Sequence, residues 1–294
     1  MSAPAPLEDP HIQVLAEAAF GAHPGHSLAE LPPASDALGR WYRAVVLGGQ
    51  GRYAAARVEL RKIRNHSTDP VLLSLAGSVE GSLLRQLGSH ERAAASDGRA
   101  AALILTADAV DTAAGAEQVH DVPTDCLPGR ADAVCDAFTG LAADALGTGR
   151  LALADRLLRR SSAVAEQYPA CWRRTVRWHW VSAETALAAS DFEVASKHAA
   201  AALEQAENAP SVRHRIKSRL LVAAAAAGRG DRERSRVLAD EVAEQCREQG
   251  LLPLQWACAM LRTGLGAEQA RAEAAECAEL IAGFGGVLRP LSGR

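Results

Sequence analysis

Aromatic side chains are scarce, with Phe, Trp and Tyr making up 4% of the 294 residues, and stretches rich in Val, Ile and Thr are few. Strands draw on those residue types, so a β-rich core is excluded. The six cysteines include no CxxC pair, which argues against both a disulfide framework and a zinc ribbon. Neither common Gly-rich phosphate loop occurs, nor HExxH, nor GxSxG, and no two carboxylates stand out as an acid/base couple. The familiar hydrolase and nucleotide-binding classes therefore have no motif here. Charge of one sign is also missing: 32 Lys and Arg against 35 Asp and Glu leave a formal charge of −3. Nothing pulls the whole chain toward nucleic acid or an anionic membrane. The richest apolar run, residues 220–227, stops at Gly228 and Arg229, short of the roughly 18–20 residues that a spanning helix needs. Residues 1–9 hold prolines and acids where a secretory signal would carry a basic region and an apolar run. These absences predict a cytoplasmic, non-catalytic protein with reduced thiols, no membrane contact, no cofactor and no metal.

What the chain does have is alanine, 63 residues of it, the strongest helix former. An all-α fold follows. The stretch 172–210 spells one complete helical hairpin: Val176, Trp180, Ala183 and Leu187 on the first helix, Ser190 and Asp191 at the turn, then Phe192, Ala195, Ala199 and Ala202 before Pro210. The plan repeats. Taking Gly51, Gly88, Gly149, Ser190 and Gly230 as turn residues, the position seven before each is Ala44, Gly81, Ala142, Ala183 and Ala223. The position five after each is Ala56, Ala93, Ala154, Ala195 and Ser235. A sixth turn near Leu265, without its glycine, gives Cys258 and Ala270 by the same rule. Small residues on both sides of a tight turn let two helices approach closely. Tyr53, Leu151 and Phe192 supply bulk two places beyond the turn, whereas His90, Asp97 and Arg232 break the pattern. A non-repeating helical bundle is the alternative that this alanine-rich composition leaves open.

The turns are spaced by 37, 61, 41 and 40 residues. The long interval holds a polar stretch with Pro123, Pro128 and Gly129, read as an irregular insertion. The expected organisation is a loose segment with one short helix over 1–35, repeats over 36–107, the insertion over 108–130, further repeats over 131–284 and a tail over 285–294.

These residues resemble the tetratricopeptide repeat family, in its degenerate bacterial form. Residues 176–210 match best, through Ala183, Phe192, Ala195, Ala202 and the closing Pro210; residues 38–70 follow, with Ala44, Tyr53, Ala56 and Ile63. The units run longer than the family's usual ~34 residues, and its early Trp, Leu and Gly are mostly absent. The resemblance spans about 36–284. It implies a right-handed α-solenoid of five to six antiparallel hairpins whose first helices line an open concave groove, and a role as a scaffold that binds a protein or peptide segment there. Stepped along this chain, that geometry puts Trp41, Arg85, Arg177, Trp180, Glu184, Lys217 and Arg262 on the groove. A ligand- or partner-sensing array of a bacterial regulatory system is the first rival, and self-association is left open.

Two stretches could carry chemistry of their own. Between 120 and 136 lie His120, Asp121, Asp125, Cys126, Asp132, Cys135 and Asp136, residue types that bind metals or act as nucleophiles, though without close ligand spacing; an ordinary loop is the plainer reading. In 168–180, Trp172, Val176 and Trp180 form one helical stripe and Arg173 and Arg177 another. Arginine beside tryptophan suits phosphates, acidic peptides or bases, so nucleic-acid binding is a second rival, weighed against tryptophans that pack between helices while the arginines reach water.

Overall fold

The computed structural model describes residues 9–111, 128–167 and 171–289. Among them all regular structure is helical, in thirteen helices: α1 (Pro10–Phe20), α2 (Ala37–Gly49), α3 (Tyr53–His66), α4 (Pro70–Gln86), α5 (His90–Asp111), α6 (Arg130–Gly147), α7 (Leu151–Gln167), α8 (Trp172–Ala188), α9 (Phe192–Glu207), α10 (Val212–Gly228), α11 (Arg232–Glu248), α12 (Leu252–Gly264) and α13 (Glu268–Gly283). None is long and apolar enough to cross a membrane.

From α2 onward the helices fall into six packed pairs, each joined by three residues. Each turn reverses the chain through one left-handed residue: Gly51 (φ 78°), Gly88 (75°), Gly149 (76°), Ser190 (60°), Gly230 (85°) and Gly266 (91°). Two hydrogen bonds close each turn, as where Gly51 N donates to Gly48 O at 3.2 Å and Arg52 N to Leu47 O at 2.8 Å, so the last carbonyls of the helix are satisfied before the chain turns back. The sixth turn has its glycine after all, at 266. Ser190 alone bears a Cβ in this conformation. Ser190→Gly is therefore expected to raise unfolding stability by about 1 kcal/mol, read as a higher denaturant midpoint; an unchanged midpoint would show that Ser190 is unstrained.

All twelve small positions flanking the turns are buried, from Ala44 and Ala56 to Cys258 and Ala270. Their size sets how closely each pair approaches. The first members of the pairs touch in succession, α2 to α4, then α6, α8, α10 and α12, and α12 returns to α2. The array is closed where an open groove was expected. Ala54 N on α3 donates to Phe284 O at 2.9 Å, Arg289 N donates to Leu87 O at 3.0 Å, and the Arg52 guanidinium lies 4.6 Å over the Phe284 ring.

The expected short helix near the start is packed onto the array. The helix α1 buries Ile12, Leu15 and Phe20, and Val212 N on α10 donates to Gly21 O at 3.1 Å. The loop behind it is held by Gln50 Nε2, which donates to Pro24 O (2.9 Å) and His26 O (2.7 Å). Residues 285–289, the described part of the expected tail, contribute to the closing seam. The expected insertion shrinks as well, since α5 runs on to Asp111 and α6 begins at Arg130. Closure of this kind rests on single long-range contacts, which leave no periodic trace in a sequence.

Candidate functional site

The six inner helices surround a pocket of about 400 Å³. Gly49 ends α2 at its wall, Arg85 and Gln86 come from α4, Thr139 and Leu146 from α6, Arg177, Trp180 and Glu184 from α8, Arg213 and Lys217 from α10, and Leu254 and Trp256 from α12. Every inner helix thus contributes, α6, α8 and α10 over about two turns each, and the side chains are mostly basic or apolar.

The basic groups differ in how they are neutralised. Arg85 bonds Asp97 on α5, and its Nη1 also donates to Asp144 Oδ1 at 2.9 Å and Gly140 O at 3.2 Å. Burial alone would lower the Arg85 pKa, but Asp97 and Asp144 outweigh it and raise it. Asp97 is fully buried; burial pushes its carboxyl up to about 7, with Arg85 opposing and Asp144 adding to the rise. It fits only because two neighbours lack side chains. A Cβ on Gly81 would lie 2.3 Å from the Asp97 carboxylate and one on Gly140 2.6 Å, so the residue that breaks the repeat pattern occupies a slot made by two glycines.

On the next side, Arg173 donates to Asp136 Oδ2 at 2.7 Å and Asp132 Oδ1 at 3.1 Å and lies 5.4 Å over the Phe20 ring. Arg174 Nη1 stands 3.5 Å from Asp132. Arg177 Nε stands 3.1 Å from Asp136 Oδ1, off the hydrogen-bonding direction, and this N–H has no acceptor. Burial lowers the Arg177 pKa, and Asp136 only partly restores it. Lys217 Nζ is 3.2 Å from Glu184 Oε1 and 4.6 Å over the Trp180 ring. Trp180 is itself anchored: its Nε1 donates to Ser218 Oγ at 2.8 Å, and its ring stacks on the buried His214 at 4.9 Å. Arg213 contrasts with all of these. Among the described residues its one hydrogen bond runs from Nη2 to Ala19 O at 3.4 Å, and burial, then Arg177 and Arg173, push its pKa down to about 10.

Of the residues placed on the groove from sequence, Arg85, Arg177, Trp180, Glu184 and Lys217 come together in this pocket. Trp41 does not. It is 1% exposed, covered by α1 and packed 5.5 Å from the Phe20 ring; stepping along the inner helices took no account of a capping helix. Arg262 does not either, because it faces outward between α11 and α13, with Nε 2.7 Å from Asp240 Oδ1 and Nη1 bonded to Glu273.

The two chemical stretches turn out to be partners. Asp132 and Asp136 are the counterions of Arg173, Arg174 and Arg177, so neither aspartate is free for a metal. Arg173 and Arg174 are each 7% exposed and turned to these carboxylates, whereas the Arg177 side chain keeps 24% of its surface exposed at the pocket. Cys135 Sγ is buried against Ser161 O, and burial first, then Asp136, push its thiol up to about 11, which makes it a poor nucleophile. His120, Asp121, Asp125 and Cys126 lie outside the described residues. Among the described residues no group of three His, Cys, Asp or Glu is placed to hold a metal ion, and the five cysteines there are unpaired thiols.

Sequence reasoning missed Arg213, Trp256 and the Asp97 slot. One signal was present: Arg213 precedes Lys217 by four residues on α10, the same step that separates Arg173 from Arg177. No protein-family model matches the chain, and no curated protein matches it.

Proposed function

We propose that this protein is a non-catalytic sensor: a tetratricopeptide-like array of six hairpins, closed on itself, that captures a small ligand in its central pocket and presents the occupied state to a protein partner in the cytoplasm. The observation that carries this reading is the convergence of all six inner helices on one partly open pocket, whose volume of about 400 Å³ falls within the ~300–1,000 Å³ of small-molecule sites. The repeat likeness is supported by the twelve buried small positions and six left-handed turn residues. The five unpaired thiols suit a reducing compartment.

Capture of a protein segment is the second reading, favoured because five residues that the repeat geometry assigns to a groove do line this pocket. Native mass spectrometry of protein purified from its own cells separates the two. A retained small molecule is expected, and adding the extract's small-molecule fraction should raise the melting temperature. Trp256→Ala, which removes a half-buried wall residue, should weaken that retention roughly 30-fold without unfolding the chain. If only peptides are retained and the small-molecule fraction leaves the melting temperature unmoved, the segment-binding reading replaces this one.

A further inference from the structure

The charges around the pocket do not balance locally. Arg85 has two carboxylates, Asp97 and Asp144, and Lys217 has Glu184. Among the described residues Arg177 has only Asp136, which Arg173 holds more closely, at 2.7 Å against 3.1 Å. Arg213 has no carboxylate within 4 Å among the described residues, and a single main-chain carbonyl takes one of its five N–H donors. Both guanidiniums line the central pocket and also the small cleft that runs beneath it toward Phe20 and Trp41. An arginine partly out of water with no counterion is costly to keep, and here its neighbours are cations. The groups beside it on α10 and α12 are of another kind: Leu220, Leu221, Leu254 and Trp256 give the pocket an apolar wall.

Building on the proposed sensor role, we infer that the pocket takes a small amphiphilic organic anion, with its carboxylate, sulfonate or phosphate between Arg177 and Arg213 and its apolar body against Trp256. The head group accepts hydrogen bonds from the terminal N–H groups of Arg177, whose side chain keeps 24% of its surface exposed, and from the free donors of Arg213. These charge-assisted bonds add to the energy of burying the body. A second basic contact from Lys217 is held back by Glu184, which limits the head group to one anion. Larger polyanions are excluded by volume.

Anilinonaphthalene sulfonate and its uncharged counterpart N-phenylnaphthylamine serve as fluorescent probes on the intact chain. The sulfonate dye should bind saturably and at least ~10-fold more tightly than the neutral one, since a hydrogen bond to a charged group contributes ~1.5–3 kcal/mol. Arg213→Gln should remove most of that difference and leave neutral-dye binding unchanged; Arg213→Lys should keep part of it. The glutamine variant deletes an unpaired cation, so its near-UV circular dichroism should stay native. Trp256→Ala should weaken both dyes. Equal affinity for the two dyes, or an Arg213→Gln variant that still prefers the sulfonate, would overturn the anion inference while leaving the pocket a ligand site. Failure of both dyes to bind would overturn the sensor reading with it. Displacement of the sulfonate dye by inorganic phosphate at equal concentration would refute the role given to the apolar wall.

Discussion

Arg85→Met is expected to destabilise the protein by about 3–5 kcal/mol at neutral pH, the range for removing one partner of a buried ionic group. The substitution leaves Asp97 and Asp144, both fully buried, facing each other between α4, α5 and α6 without their cation. The loss should depend on pH in a definite direction. Asp97 already titrates well above the ordinary carboxylate range because it is buried, and removing Arg85 takes away the one neighbour that lowers it. The folded variant then holds a proton that the unfolded chain gives up near pH ~4, so stability falls as pH rises from about 4 through 7 and is best recovered at or just below pH ~4. Denaturant titrations of the variant at pH values across that window would test the sign. Adding Asp97→Asn and Asp144→Asn to Arg85→Met should restore most of the loss, because an uncharged set can replace a buried ionic one. A variant as stable as the parent at neutral pH would mean that Arg85 is not the group neutralising these carboxylates.

Arg173→Ala should have the second largest effect, about 3 kcal/mol or more, again from uncompensated buried charge. One guanidinium here touches four elements. It pairs with Asp132 and Asp136 on α6, projects from the first turn of α8, and lies over the rings of Phe20 on α1 and Trp41 on α2. Losing it leaves Asp136 with Arg177 alone and Asp132 with the more distant Arg174 at 3.5 Å. Arg173→Lys should recover only part of the loss, since an ammonium cannot bridge two carboxylates and stack on aromatic faces in the same way. The difference between the alanine and lysine variants in urea unfolding measures that geometric share; equal losses would assign the whole effect to charge.

The elements that repeat are the ones a sequence displays. Turn glycines and paired small residues recur at near-constant spacing, so the all-helical class and the positions of the inner-pair turns could be read directly, and the hairpin at 172–210 reappears as α8 and α9. What was hidden is whatever happens once. Asp97 looked like a defect because its slot is made by Gly81 and by Gly140, the latter 43 residues away on another pair. The matched spacing of Asp132 with Asp136 and of Arg173 with Arg177, four residues in each case, held the information that these faces meet, but only for a reader who already knew that α6 and α8 adjoin. Trp41 misled for a related reason: an aromatic on an inner helix is a wall residue only if nothing lies over it, and α1 does.

The seam between the first and last pairs also bears on how the chain reaches its native state. Arg57 Nη1 donates to Gly285 O at 2.9 Å across 228 residues, whereas nearly every other helix contact joins neighbours in the chain. Neighbouring pairs can therefore zip up early from local contacts, and joining the two ends is the step with the greatest sequence separation, whose entropic cost grows only with the logarithm of that separation. The cavity comes into being at that last step, so any molecule that prefers the joined form acts on late assembly as well as on the finished protein.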